Sequence, residues 1–165
     1  VIDIPWGRVS VTLVDERQVP ESSERSNARL VRQHLLQNKA AAARFVPLVD
    51  NPDAENIPAF DVAVLGMGND GHTASLFPGT PATSVIDRAV TLGEGKGLPR
   101  VTFTAPTLSA ARQVLFLVSG AGKVQALQRL LDPQESPERT PAKLVRPNTD
   151  VWILADRAAA AGVSP

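Results

Sequence analysis

The stretch FDVAVLGMGNDGHTASLFPG, residues 60–79, decides the fold that the sequence predicts. Its first seven residues form a short, continuous apolar run, which is typical of a strand buried on both faces of a parallel sheet. Three glycines then precede His72, one of only two histidines in the chain. We expect a strand over residues 60–66, a tight turn, and a helical turn over residues 73–77 that ends at Pro78.

Predicted strands and helices alternate along the rest of the chain. Strands are predicted at residues 8–14, 100–104, 114–120 and 150–155, and helical segments at residues 26–45 (capped by Ser26), 107–113, 122–131 and 156–161. Residues 81–99 are predicted to be mostly loop, with at most one short strand. The alternation predicts one α/β domain over residues 1–165, a three-layer, mostly parallel Rossmann-like sheet with helices on both faces.

The composition excludes several classes of function. Apolar residues make up 43% of the chain, and 17 basic side chains balance 17 acidic ones, which argues against a nucleic-acid binder. No cysteine is present, so thiol catalysis and cysteine-bound metals are excluded, and two histidines favour no metal site. No apolar run reaches the roughly 18 residues of a membrane span. The default expectation is a cytoplasmic protein that binds no membrane.

Polar or glycine-rich segments follow three of the predicted strands: DER (Asp15–Arg17), GMGNDGH (residues 66–72) and SGAGK (residues 119–123). In open α/β sheets, ligands bind beyond the carboxyl ends of the strands. These segments together offer acids, an arginine, a histidine and a lysine. The sequence therefore predicts a site at this edge of the sheet.

The DER segment has two interpretations, one functional and one structural. In the functional one, Asp15 or Glu16 orients a base or a substrate hydroxyl, and Arg17 holds an anion through its forked donors. In the other, the three residues are a solvated turn with a local ion pair.

The glycine-rich segment is similarly ambiguous by itself. Gly66, Gly68 and Gly71 permit close backbone approach, so their N–H groups could face an anion. The spacing matches neither a dinucleotide fingerprint nor a P-loop, and a strand-to-helix corner is the alternative. A helix N-terminus at His72 would keep its imidazole neutral and able to act as a general base.

Two further cations are candidates for an anion site. Lys123 is predicted in the first turn of a helix, where a bound anion would offset the unfavourable dipole, and a solvent-exposed amine is the alternative. Arg100 opens its strand, so only a bend of the preceding loop could bring it to the site. His34 is expected to be an ordinary helix residue, and Ser75 lacks the nucleophile elbow of a serine hydrolase.

The segments VDERQVPESSERSN and FDVAVLGMGNDGHTASLFPG closely resemble the 6-phosphogluconolactonase family, and the likeness continues through PRVTFT, LFLVSGAGK, TPAKLV and VWILADRAA. It implies hydrolysis of 6-phosphoglucono-δ-lactone in the pentose phosphate pathway, with a sugar-phosphate lactone as the small-molecule partner, no redox cofactor and no required metal ion. The sequence does not give the oligomeric state, for which a monomer is the default expectation. The sister glucosamine-6-phosphate deaminases share the glycine core but typically diverge after the histidine. Two alternatives stay open: a sugar-phosphate isomerase or deaminase, and a sugar-phosphate-binding module without turnover.

The resemblance also assigns residues. It implies that His72 activates water and that Arg17, Arg100 and Lys123 hold the phosphate. We further expect Asp15 to be a second catalytic residue, and we expect the substrate to be bound also by Glu16, Asn27, Gly66, Gly68, Asp70, Gly71 and Thr73. The family has an N-terminal strand and a Ser-Gly-Gly phosphate loop that nothing in this sequence matches. We therefore expect the domain to be truncated at its N-terminus, with part of the phosphate site absent.

Overall fold

The structure, a computed structural model, describes residues 3–49, 51 and 54–163. The strands are Ser10–Thr12 (β1), Asp15–Arg17 (β2), Arg44–Val46 (β3), Val62–Gly66 (β4), Val90–Gly95 (β5), Leu98–Phe103 (β6), Gln113–Val118 (β7) and Val151–Ala155 (β8). The α-helices are Asn27–His34 (α1), Ala105–Ser109 (α2) and Val124–Leu131 (α3). Short 3-10 helices lie at Trp6–Arg8, Asn38–Ala42, Ala54–Asn56, Pro81–Ser84, Ala121–Lys123, Pro141–Leu144 and Ala159–Gly162.

The strands form three sheets. β4, β7 and β8 make a parallel sheet with β7 in the centre, and β1 pairs with β3, also in parallel. β2, β6 and β5 make an antiparallel sheet. The predicted α/β class with parallel strands is confirmed. The antiparallel sheet was not predicted, because its strands β2 and β5 lie in segments that the sequence marked as polar turn and loop.

One face of the β4–β7–β8 sheet carries the core. Leu65 and Phe116 pair in register on neighbouring strands and are almost fully buried. Leu108 of α2 and Leu127 of α3 belong to the same buried cluster. The predicted helix at residues 122–131 is confirmed, and its apolar side contributes to this core.

The opposite face of this sheet is exposed in the part of the chain that the structure describes. Val62 and Val64 on β4, Leu117 on β7, and Trp152 and Leu154 on β8 are 49–60% exposed. Alternate residues of a strand point to opposite faces, so these side chains form one apolar surface. The expectation that residues 60–66 are buried on both faces therefore does not hold among the described residues.

The long helix predicted at residues 26–45 is wrong in its second half. Ser26 caps the helix as predicted, because its hydroxyl accepts a hydrogen bond from the Arg29 amide. The helix ends at His34, and Asn38 has φ of 54°, a left-handed conformation that a right-handed helix cannot include. Residues Arg44–Val46 leave the helical pattern to pair with β1.

Two other local predictions are corrected. Residues 73–77 form no helical turn: Thr73 and Leu76 pair as a β-bridge around Ala74, whose φ is 47°. Residues 81–99 contain β5, which with β6 forms a hairpin closed by the two-residue turn Lys96-Gly97. In the first segment the Ser75 amide donates to the Thr102 hydroxyl of β6, and in the second β5 pairs with the strand that follows the turn.

The remaining predictions agree in type and differ in bounds. The helix predicted at residues 107–113 is found at Ala105–Ser109, and the last predicted helical turn is the 3-10 helix Ala159–Gly162. The strand predicted at residues 150–155 is β8. None of the described helices is long and apolar enough to cross a membrane.

Candidate active site

Glu16 lies on the core side of β2, where it caps a helix. Its carboxylate is 3% exposed and accepts hydrogen bonds from the Asn27 amide (2.8 Å), the Ala28 amide (2.7 Å) and the Ser26 hydroxyl (3.1 Å). These amides belong to the first turn of α1, whose N–H groups have no partner within the helix. Glu16, predicted as a substrate-binding residue, therefore lies where it fixes α1 against β2.

Arg17 and Asn27 are joined to each other. The Arg17 guanidinium donates to the Asn27 side-chain oxygen and to the Arg25 carbonyl oxygen (3.2 Å). The Asn27 amide nitrogen donates in turn to the Asp15 carbonyl oxygen (3.0 Å). The structure thus brings the DER segment and the Ser26-Asn27 segment together. One nitrogen of the Arg17 guanidinium is already used in these contacts.

Asp15 lies on the opposite face of β2 from Glu16, in a small buried network. Its Oδ2 accepts from the Ser75 hydroxyl (2.5 Å) and from Arg100 Nη1 (3.4 Å). The register pairs Asp15 with Thr102 across the antiparallel ladder, so Arg100 is its diagonal neighbour on the same face. Arg100 Nε also donates to the Gly95 carbonyl oxygen (3.2 Å), which leaves this arginine 6% exposed.

The glycine-rich turn uses its own amides. The Gly68 N–H donates to the His72 carbonyl oxygen (2.8 Å), and the Gly71 N–H donates to the Gly68 carbonyl oxygen (3.0 Å). The His72 N–H donates to Asp70 Oδ1 (3.1 Å). The expectation that the turn presents free amides to an anion therefore fails for these three groups, because the tight turn needs them to close.

Thr73, Gly66 and Gly71 also have internal partners. The fully buried Thr73 hydroxyl donates to the Gly66 carbonyl oxygen (2.8 Å) and closes the turn at its base. Gly71 has φ of 88°, and a Cβ there would lie 3.0–3.2 Å from Thr140. The Gly71 carbonyl oxygen accepts from the Ala142 amide (3.0 Å). These residues hold the shape of the turn.

His72 is the reactive group that this turn presents. Its Nδ1 lies 2.5 Å from Asp70 Oδ1, and its ring lies 4.2 Å from the Phe77 ring. Gly68 is required beneath it, because a Cβ at Gly68 would lie 2.1 Å from His72 Nδ1. An ionised carboxylate only accepts hydrogen bonds, so Nδ1 carries the proton and Nε2 keeps its lone pair.

The pKa of His72 lies below its usual value of 6.5, chiefly because burial disfavours the charged imidazolium. The hydrogen bond and charge of Asp70 and the charge of Asp15 act in the opposite direction, and the Lys96 ammonium lowers this pKa further. The predicted neutral histidine is thus found for a different reason, since residues 73–77 form no helix. Burial raises the pKa of Asp70, but hydrogen bonds from the His72 amide and ring bring it below its usual 3.8.

The SGAGK segment reaches the tip of the same turn. Gly122 approaches the Asn69 side chain, since a Cβ at Gly122 would lie 3.4 Å from its nitrogen. Asp156, directly after β8, holds the segment by accepting from the Ser119 hydroxyl (2.6 Å) and the Gly120 amide (3.0 Å). Among the residues with described side chains, none forms a hydrogen bond or ion pair with the Lys123 ammonium. The carboxyl ends of β4 and β7 therefore meet as predicted.

Sequence reasoning missed four residues of this site: Phe77, Ser75 as the partner of Asp15, Asp156 and Lys96. Asp156 could have been found, because it directly follows a predicted parallel strand. Lys96 stood in a segment that was predicted to be loop. Within the described ranges, no group of three or more His, Cys, Asp or Glu side chains is placed to hold a metal ion.

Comparison with known proteins places the chain in a family. Residues 2–154 match the sequence family described as glucosamine-6-phosphate isomerases/6-phosphogluconolactonase. The chain belongs to this family. A 6-phosphogluconolactonase from Synechocystis sp. is 38% identical over 94% of this chain and 74% of its own length. The 6-phosphogluconolactonase of Rattus norvegicus is 35% identical over 93% of this chain and 68% of its own length.

Solved members of the family have the same fold. The crystal structure of a 6-phosphogluconolactonase from Shewanella baltica matches 93% of this chain and 74% of its own, with a TM-score of 0.82 and 32% identity. The structure of a monomeric glucosamine-6-phosphate deaminase matches 93% of this chain and 74% of its own, with a TM-score of 0.74 and 21% identity. At this identity the match shows that the two proteins share a fold, and no more. The two relatives above, at 38% and 35% identity, and the Shewanella baltica structure are named 6-phosphogluconolactonases.

Proposed function

We propose that this member of the family hydrolyses 6-phosphoglucono-δ-lactone to 6-phosphogluconate, a step of the pentose phosphate pathway. The observation that carries the proposal is His72, a partly buried imidazole with a lowered pKa, whose Nδ1 is bound by Asp70 and whose Nε2 is left to accept a proton. The relatives named as 6-phosphogluconolactonases support the choice of substrate. The reaction needs only water as co-reactant, with no cofactor and no metal ion.

In the proposed reaction, His72 Nε2 takes a proton from water as the water oxygen bonds to the lactone carbonyl carbon. The bond between that carbon and the ring oxygen then breaks, and the proton passes from His72 to the ring oxygen, which becomes a hydroxyl group. The new carboxylic acid loses its proton to solvent. Asp70 holds the imidazole in one tautomer and stabilises the transient imidazolium.

Asp15 is proposed to orient the substrate. Its Oδ2 is held by Ser75 and Arg100, and no described residue donates a hydrogen bond to Oδ1. That oxygen can accept a hydrogen bond from a sugar hydroxyl. Arg100 then acts through Asp15 rather than on the substrate, which changes the role that its charge alone suggested.

Arg17 and Lys123 are the proposed phosphate-binding residues. Arg17 is half-buried and spends one nitrogen on Asn27 and Arg25, so the other donors of its guanidinium are available. The Lys123 ammonium is uncommitted among the residues with described side chains. The cytoplasmic location and the monomeric state stay predictions.

The test follows loss of the lactone by NMR and subtracts the spontaneous rate. His72→Ala should abolish the enzymatic rate, while His34→Ala, on the exposed side of α1, should leave it unchanged. Unchanged hydrolysis by His72→Ala would remove His72 from the mechanism. Release of ammonia from glucosamine 6-phosphate would favour the deaminase, and binding of 6-phosphogluconate without hydrolysis would favour a binding module.

A further inference from the structure

Lys96 lies at the tip of the β5–β6 hairpin in an unusual backbone conformation. The hairpin closes between Gly95 and Leu98, and its two turn residues, Lys96 and Gly97, have φ of 56° and 73°. Turns with two such residues favour Asn, Asp or Gly in the first position, and a lysine there is unfavourable. An observed backbone outlier of this kind is a reason to ask what its side chain does.

The tip of the hairpin is held against the reactive histidine. Gly95 touches the Phe77 ring so closely that a Cβ would lie 2.1 Å from it, and Phe77 in turn packs on the His72 ring at 4.2 Å. Arg100 Nε donates to the Gly95 carbonyl oxygen from the other side. Lys96 therefore follows a residue that is fixed against Phe77, the ring that packs on His72, and its own long side chain is exposed.

Several other groups near His72 that could meet negative charge have partners within the protein, and Arg17 and Lys123 are assigned above to the phosphate. Arg100 is buried on Asp15 and Gly95, and the amides of Gly68 and Gly71 close the glycine turn. Lys96 is exposed, and its ammonium has no hydrogen bond or ion pair with any other residue of the described ranges. It is thus a cation without a partner among the described residues, on the hairpin whose Gly95 contacts Phe77 beside His72.

We propose that Lys96 is a catalytic residue whose ammonium binds the negative charge on the oxygens of the reacting carbonyl carbon. In the transition state this is the oxyanion, and in the product it is the carboxylate. The assignment rests on the proposed lactone hydrolysis. A preorganised cation at a developing oxyanion stabilises the transition state more than the neutral substrate, and so raises kcat.

Three charged groups influence the pKa of His72, namely Asp70, Asp15 and Lys96. The two carboxylates raise the pKa of the imidazole, and the lysine lowers it. This agrees with a lysine side chain that reaches the vicinity of the ring. Removal of the Lys96 charge should therefore raise the pKa of His72, which removal of a lysine with a purely structural role would not do.

The first experiment measures binding without turnover. Lys96→Met keeps the Cβ and the length of the side chain, so the backbone cost of the turn is unchanged and only the charge is lost. By calorimetry, the variant should bind 6-phosphogluconate about tenfold more weakly and glucitol 6-phosphate equally well. Glucitol 6-phosphate has the same carbon chain and phosphate, with an alcohol in place of the carboxylate. Lys39→Met, at an exposed ion pair with Asp3, is the matched control and should change neither affinity.

Each other outcome overturns the assignment. Equal weakening of both ligands would place Lys96 at the phosphate, and no weakening of either would make it a solvated surface charge. If the unmodified protein bound 6-phosphogluconate no better than glucitol 6-phosphate, no group would recognise the carboxylate and the proposal would fall.

The second experiment separates this proposal from the proposed function. In lactone hydrolysis, Lys96→Met should lower kcat about tenfold or more with little change in KM, and Lys96→Arg should recover part of the loss. The acidic limb of the rate profile should move to higher pH, because a charge that lowers the pKa of His72 is gone. Normal kcat in Lys96→Met would refute the role of Lys96 and leave the lactonase intact. Absence of hydrolysis by the unmodified protein, with the carboxylate-specific loss of binding still present, would refute the lactonase and the catalytic role of Lys96, and would leave Lys96 as a carboxylate-binding residue.

Discussion

Replacing Glu16 by alanine should destabilise the chain more than any exposed acidic residue does. Glu16 is 3% exposed, and its two oxygens accept hydrogen bonds from the backbone amides of Asn27 and Ala28 at the start of α1, from the Arg17 backbone amide and from the Ser26 hydroxyl. Alanine would leave the two helix amides without an acceptor in a place that water reaches poorly.

The magnitude follows from the number of donors. A buried donor left without a partner costs about 1–3 kcal/mol, and a carboxylate at a helix N-terminus adds a favourable charge interaction. With two such amides, we expect Glu16→Ala to lower the free energy of unfolding by about 3 kcal/mol. For a domain of this size that corresponds to a melting temperature lower by about 6–12 °C. Glu16→Gln keeps one acceptor oxygen, so its free energy of unfolding should fall by about half as much as that of Glu16→Ala.

The assay is urea unfolding followed by circular dichroism and tryptophan fluorescence. Glu24→Ala is the matched control, because Glu24 is exposed and lies in the loop just before the same helix. The free energy of unfolding of Glu24→Ala should lie within about 0.5 kcal/mol of that of the unmodified chain. A loss for Glu16→Ala no larger than for Glu24→Ala would refute the capping argument. The hydrogen bonds to the amides would then contribute nothing net to stability.

Three further predictions concern the site. Gly68→Ala should abolish hydrolysis by displacing the His72 ring, whereas Gly66→Ala, with no atom within 4 Å of the new Cβ, should remain active; equal rates would contradict this. Because burial lowers the pKa of His72, the acidic limb of the kcat/KM profile should have its midpoint below 6.5, and a midpoint above that value would disprove it. The hydrogen bonds from Ser119 and nearby amides lower the pKa of Asp156 below 3.8, so its contribution to stability is present above pH 3.8 and is lost as the pH falls through the folded-state pKa. The melting temperatures of Asp156→Asn and the unmodified chain should therefore differ at neutral pH and converge in acid, and a constant difference would count against the argument.

The exposed apolar face of the β4–β7–β8 sheet is the feature that the sequence described least well. The run FDVAVLG suggested a strand buried on both sides, because apolar residues occupy both sets of alternate positions. The pattern gives the chemistry of each face. It does not say which element packs on each face. Among the described residues, no element covers the face that carries Val62, Val64 and Trp152, and these side chains are exposed.

Local sequence was enough for the elements whose hydrogen bonds are local or whose pattern is strong. Ser26 as a helix cap, the amphipathic helix at α3 and the parallel strands β4, β7 and β8 follow from patterns within a few residues. The spacing of Asp70 and His72 likewise puts the carboxylate on the imidazole without help from the rest of the chain. The lowered pKa of His72, in contrast, depends on burial by distant residues.

By itself, the sequence determined the α/β class, the turn that presents His72, and the resemblance that names the reaction. Only the tertiary structure decided which charged groups are free to act there. Asp15 meets Ser75 across 60 residues and Arg100 across 85, and these contacts depend on the antiparallel pairing of β2 with β6. The same sheet commits Arg100 to Asp15 and places Gly95, the residue before Lys96, against Phe77 beside His72. The physical reason is that a side chain's charge is set by its type, whereas its availability depends on partners that only folding brings near.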